Sequence, residues 1–207
     1  MLLPPDVSQA QFDRAVAAFR RELGSEWVFT SEEDVGLYRD AYSPFWGEPE
    51  ERRASAAVAP ASVEEVQAVM RIANETSVPV YPISTGKNLG YGGSAPALSG
   101  SVVLDLKRMN RVLDIDEENA SALVEPGVSY FDLYREVRAK GAKLLIDCPE
   151  PGWGSPDRQC ARPRRRLYRA QFRNHFSAHC GVDRLAQRRI AAHRHGRVAR
   201  REDMAAI

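Results

Sequence analysis

The chain has little cysteine, three residues in all, and only Cys148 precedes residue 157. A single cysteine in that stretch leaves nothing for a disulfide framework and suits a reducing compartment. Histidine is missing from the first 156 residues altogether: all four lie at His175, His179, His193 and His195. They and Cys180 form no second short-spaced ligand pair of a recognised zinc type, so no metal site is expected. The start, MLLPPDVSQ, has neither a basic n-region nor a long apolar run. Neither a signal peptide nor a membrane span is indicated, and a soluble, cytoplasmic protein with no membrane partner is the expectation.

Charge of one sign is missing only in the sum. The formal net charge of +1 divides at Pro156: residues 1–156 hold 15 basic against 24 acidic residues, and residues 157–207 hold 14 against 4. The basic residues of the second part are all arginine. An acidic globular domain over 1–156 followed by an arginine-rich tail over 157–207 is the expected organisation.

The pattern within the first part is α+β. Phe12, Val16, Phe19 and Leu23 recur at helical spacing between Ser8, a cap, and Gly24, a stop. Ser31 and Asp34 open a second short helical segment, which runs into the proline-broken stretch DAYSPFWGEPEERR, a loop or extended crossing. SAAVAP (55–60) reads as a buried strand, Ser62 and Glu65 have capping-box spacing, and VPVYPIS (78–84) is the next strand. This βαβ order favours a right-handed crossover and a parallel pair. SVVLDLK (101–107), VLDID (112–116) and ASALVEPG (120–127) read as three strands of a meander. Ser129 and Asp132 cap a helix that Gly141 ends, and KLLID (143–147) adds a strand.

Between the second and third strands lies TGKNLGYGGSAP (85–96), with Gly86, Gly90, Gly92 and Gly93. Glycines at this density let several backbone N–H groups turn toward one anion, because glycine tolerates positive φ and close approach. A phosphate or pyrophosphate is the natural guest, against the plainer reading of a glycine-rich surface turn. A Walker loop is excluded: Asn88 follows Lys87, and no glycine stands at the required earlier position. A dinucleotide fingerprint is excluded because the loop runs into Ser94, Ala95, Pro96 and a β-rich segment rather than opening a helix.

PISTGKNLGYGGSAP, followed by VVLDLKRMN and the VLDID and ALVEPGVSY segments, resembles the FAD-binding domain of the vanillyl-alcohol oxidase and para-cresol methylhydroxylase family. The likeness runs over residues 8–156 and is strongest to the branch acting on eugenol and vanillyl alcohol. It implies the N-terminal part of a PCMH-type FAD-binding domain, a βαβ unit plus antiparallel strands, with FAD as cofactor. Ser84, Thr85, Gly86, Lys87 and Asn88, with Leu89, Gly90, Tyr91, Gly92 and Gly93, would hold the FAD pyrophosphate. Glu125, Pro126, Gly127 and Val128 would lie along the cofactor. Tyr91 would be the catalytic residue, binding substrate as its phenolate, or would pack beside the flavin; Lys87 would neutralise phosphate or be solvated. The intact relative would oxidise a small aromatic substrate, a para-substituted phenol, and would be a homo-oligomer or pass electrons to a cytochrome c.

After GWGS that family continues with a second flavin-binding stretch of the form PxGNxxxxGVGYT, where this chain has PDRQCARPRRRLY. One permitted set of codons for PDRQCARPRRRLY, read one base further on, encodes PIGNALDHGVGY. An out-of-frame origin is therefore expected for the tail, and it would account for the arginines, since GC-rich coding read in the wrong frame yields many CGN codons. The tail is expected to be non-native or disordered and the chain to be an inactive fragment. The competing class is a nucleic-acid-binding arm through RPRRRLYRAQFRNH, in which aromatic residues interleave with arginines; with the frame argument in hand, nucleic acid is not expected as a partner. The nucleotide sequence across codons 154–166 tests this: removal of one base should regenerate the GVGYT frame, and a sequence that regenerates it under no single-base change returns the tail to the nucleic-acid reading.

Overall fold

A computed structural model of the protein describes residues 2–87, 93–118, 121–144, 146 and 152–156, with short strands at 184–185 and 190–191. The chain divides into two units, 1–158 and 159–207.

In the first unit, α1 (Gln9–Leu23) buries Phe12, Val16, Phe19 and Leu23, as their spacing requires. Its cap is a full box: the Ser8 hydroxyl accepts from Gln11 N, and Gln11 Oε1 accepts from Ser8 N. A two-residue strand absent from the sequence reading, β1 (Val28–Phe29), and α2 (Glu32–Gly36), capped by Ser31, follow. Next come β2 (Ala56–Val58), α3 (Val63–Thr76), β3 (Val80–Ile83) and β4 (Val102–Asp105). The hairpin strands β5 (Val112–Asp116) and β6 (Ser121–Val124) lead to α4 (Tyr130–Ala139), where Ser129 and Asp132 make a second full box. At α3 only half of the expected box forms: Ser62 accepts from Glu65 N, while Glu65 accepts from Ala61 N instead of Ser62 N.

The sheet order is β1-β2-β4-β3. The parallel relation of β2 and β3 is present, but β4 lies between them, paired in parallel with both, and β1 runs antiparallel on the outer edge of β2. The three-strand meander is therefore corrected to a two-strand hairpin, β5 with β6. The reason is legible in burial: every residue of β4 is buried, as a central parallel strand requires, while β5 and β6 expose much of their length. Lys143, Leu144 and Ile146 of the expected last strand join no described ladder; Lys143 N donates to Glu117 instead.

Alternation along the strands sends side chains to two cores. Ala56, Val58, Val102 and Leu104 face α1 and α3, against Phe12, Phe19 and Val69. Ala57, Val103 and Ile83 face Tyr38 and Ala54. Phe12 and Phe19 are fully buried, each contributing about 2–3 kcal/mol of apolar burial, which makes the helix-covered face the stronger of the two.

The crossing after α2 is pinned by one carboxylate. Glu51, with 1% of its side chain exposed, accepts two bonds from Arg39 (2.6 and 2.7 Å), two from Arg53 (3.1 and 2.8 Å) and one from Gly47 N (3.0 Å). The Arg39 guanidinium also stacks 3.7 Å from the Trp46 ring centroid. The Arg39 bonds hold the Glu51 carboxyl down to about 2 from its ordinary 4.5, with burial opposing them and Gly47 and Arg53 assisting.

In the second unit the described residues form one antiparallel pair, β7 (Arg184–Leu185) with β8 (Ile190–Ala191). The remainder of the tail, with its histidines and cysteines, lies outside the described residues. Cys148 does too.

Because the folded carboxyl of Glu51 titrates below its unfolded value, its contribution is complete above about 4.5 and is lost as the pH falls toward about 2. Glu51→Gln should therefore be less stable than the parent at neutral pH, with the gap closing across that window in urea unfolding; a gap that does not change with pH would contradict the assignment.

Candidate functional site

The parallel strands end together. Ile83, last in β3, is in register with Asp105, last in β4, so the loop after β3 and the 3-10 turn after β4 (Leu106–Arg108) begin at the same level. In open sheets with parallel strands, the carboxyl ends are where ligands bind.

The glycine-rich loop leaves that edge through a tight stem. Ser84 is buried and its hydroxyl shares a 2.5 Å hydrogen bond with that of Ser155. Thr85 Oγ1 is also buried and has no hydrogen-bond partner among the described residues. Gly86 has φ +66°, and its carbonyl accepts from the Ser94 hydroxyl at 3.1 Å, closing the neck of the loop. Lys87 is exposed. On the return stem, Gly93 faces Asp40: a methyl group placed on Gly93 would come into ordinary contact, 3.6 Å from Asp40 Oδ1 and 3.9 Å from its Cα. Asn88, Leu89, Gly90, Tyr91 and Gly92, the tip of the loop, lie outside the described residues.

The second strip is built differently. Glu125 is buried and its carboxylate accepts from Arg111 N (2.8 Å) and from the Arg111 guanidinium (2.6 and 3.1 Å). Burial pushes this carboxyl up, and the Arg111 bonds bring it below the ordinary carboxylate range. Gly127 is needed for close approach: a Cβ there would lie 2.2 Å from the Leu106 carbonyl oxygen. The amides of Glu125, Gly127 and Val128 donate to the carbonyls of Arg111, Met109 and Glu125, respectively. Val128 is fully buried, and Pro126 completes the turn.

A third segment joins the first. Gly154 and Gly152 present carbonyls to the first-turn amides of α4, Tyr130 N and Phe131 N, both at 2.9 Å. The Phe131 and Trp153 rings meet edge to face at 4.9 Å. The start of α4 is thereby satisfied by protein, and Ser155 is carried to Ser84. Ser155 and Asp40 were missed by sequence reasoning as members of this site, and Ser94 was seen only as the end of the glycine-rich loop. For Ser155 and Asp40 the trace was the GWGS segment and the stretch beginning DAYS, which mark segments but not contacts.

Residues 54–155 match the FAD binding domain family. The chain carries the N-terminal part of a PCMH-type FAD-binding domain, and FAD is the cofactor of that domain. It is 39% identical over 150 residues to the 4-cresol dehydrogenase [hydroxylating] flavoprotein subunit of Pseudomonas putida, covering 72% of this chain and 28% of the relative. Among solved structures, it is similar to 4-ethylphenol oxidase from Gulosibacter chungangensis in complex with isoeugenol, at 46% identity and a TM-score of 0.71. That match covers 76% of this chain and 30% of the oxidase. It is also similar to p-cresol methylhydroxylase with substrate bound, at 38% identity and a TM-score of 0.72, over 75% and 30% of the two chains. The chain thus spans under a third of the length of these relatives.

The residues present fit FAD. A buried hydroxyl without a partner costs about 1–3 kcal/mol, so Thr85 Oγ1 has a hydrogen bond to give, and a pyrophosphate oxygen is an acceptor of the right chemistry. Gly86 supplies the left-handed backbone that turns the stem at the neck of the loop.

Gly86→Ala should expose how tightly this stem is built. A Cβ would lie 2.3 Å from Ser94 Oγ on a positive-φ backbone, so a loss of about 1–3 kcal/mol in urea unfolding is expected; an unchanged midpoint would show that the neck yields without cost.

Proposed function

We propose that this chain is the FAD-binding part of an oxidoreductase that oxidises para-alkyl or para-hydroxymethyl phenols. The observation that carries the reading is the likeness of its first unit, at 46% and 38% identity, to enzymes named for 4-ethylphenol and p-cresol. Bound FAD supplies a two-electron acceptor for the hydride that leaves the para carbon of the phenol.

The chain's own residues do the rest of the work assigned to them. The amides of the loop at 84–93 and the Thr85 hydroxyl hold the pyrophosphate, while exposed Lys87 lowers the cost of its negative charge. Glu125 gives its charge to Arg111 and keeps the turn at 125–128 in place alongside the cofactor. By the resemblance, Tyr91, which lies outside the described residues, would be the residue to meet the phenol oxygen. A phenol loses hydride far more readily once its oxygen is anionic, so donors directed at that oxygen lower the barrier. The electron acceptor is oxygen or a separate protein such as a cytochrome; the P. putida relative, named as a flavoprotein subunit, supports the second.

With under a third of the relatives' length, the 207-residue chain is not expected to turn over substrate alone. Titration of the purified chain with FAD, followed by flavin fluorescence, should give quenching with a dissociation constant in the micromolar range or weaker. Addition of 4-ethylphenol should leave the flavin oxidised. One FAD per chain retained through gel filtration, with bleaching by 4-ethylphenol, would contradict the view that the chain is incomplete.

A further inference from the structure

Away from the loop itself, one buried polar contact joins the segments that frame it. The Tyr38 hydroxyl donates to Asp105 Oδ2 at 2.9 Å, and both residues are buried, with 7% and 4% of their surface exposed. Asp105 ends β4 opposite Ile83, the residue before Ser84, so it stands beside the outgoing stem. Its other oxygen accepts from Lys107 N at 3.0 Å, starting the 3-10 turn whose Leu106 carbonyl Gly127 approaches. Two residues along from Tyr38, Asp40 faces Gly93 on the return stem. Asp40 is itself held there by Tyr42 N, which donates to its Oδ1 at 3.0 Å.

We propose that Tyr38 and Asp105 are positioning residues for the cofactor loop: their bond, beside which Lys107 Nζ donates to the Tyr38 oxygen at 3.4 Å, ties the outgoing stem, through β4, to the segment that faces the returning stem. This role rests on the reading of residues 84–93 as the FAD cradle. The phenol does not act as an acid or a nucleophile, because burial and the adjacent Asp105 carboxylate push it well above its ordinary range. Its hydroxyl is spent on geometry. Loss of that hydroxyl leaves Asp105 bound to the Lys107 ammonium at 2.9 Å and to Lys107 N, so the carboxylate is not stranded and the damage stays local. The Tyr38 ring still fills its place against Ala57 and Val103.

The test is amide hydrogen exchange on the full 207-residue chain, for the parent, Tyr38→Phe and Asp40→Ala, alongside FAD titration. Exchange reports local opening separately from global unfolding. Tyr38→Phe should raise exchange of the amides across 84–94 by roughly tenfold while α1 and α3 keep their protection. Asp40→Ala, a partly exposed site that leaves the buried bond intact, should raise it at the Gly93 end alone; if Tyr38→Phe fails to fold, Asp105→Asn, which keeps the side chain's size but weakens the acceptor, decides the matter by the same rise across 84–94. FAD should bind Tyr38→Phe roughly tenfold more weakly, with an altered visible circular dichroism of the bound flavin. Unchanged loop exchange in the variants, or exchange that rises equally in α1 and α3, overturns the proposal. A parent chain that takes up no FAD overturns the cradle reading instead, and the exchange pattern still decides whether Tyr38 and Asp105 position the loop.

Discussion

The candidate site depends on β4 lying at the centre of a parallel sheet. Val102, Val103 and Leu104 are buried on both faces, one toward α1 and α3 and the other toward Tyr38, and their ladder to β3 sets where each strand stops. Because Ile83 and Asp105 end in register, a glycine-rich loop and a 3-10 turn emerge side by side. Neither could hold a shared ligand if the register slipped, since a one-residue shift would also reverse which side chains face each core.

Across this unit, buried carboxylates serve as anchors. Glu51 gathers Arg39 and Arg53, Asp105 takes Tyr38 and Lys107, and Glu125 takes Arg111. A buried charge that loses its partner is costly, so each anchor fixes its segment more firmly than it stabilises the fold as a whole. The arrangement leaves Lys87 exposed on the loop and the Thr85 hydroxyl without an acceptor among the described residues. Both belong to the stem that the pyrophosphate is proposed to meet.

Much of this was legible in the sequence because the signals are local. Helical spacing and serine caps place α1, α3 and α4, and the glycine density of 86–93 marks the loop. What was not legible is non-local. The insertion of β4 between β2 and β3 depends on burial of both faces, which a run such as VVLD permits but does not distinguish from a meander strand. The Ser84 to Ser155 bond spans 71 positions and the Tyr38 to Asp105 bond 67, so no periodicity reports them. The half-formed box at α3 shows the same limit at short range: Glu65 had two amides within reach, Ser62 N and Ala61 N, and spacing alone did not choose between them.

The central claim is that the loop at 84–93 recognises the pyrophosphate rather than the flavin ring. Comparison of FAD with riboflavin as ligands of the same purified chain, with adenosine as the control for the nucleoside half, tests it most directly, since riboflavin keeps the ring and lacks the phosphates and the adenosine. FAD should bind about tenfold more tightly or better, a difference of about 1.4 kcal/mol or more, and the advantage should shrink as salt is raised. Equal affinity for the two would contradict the account.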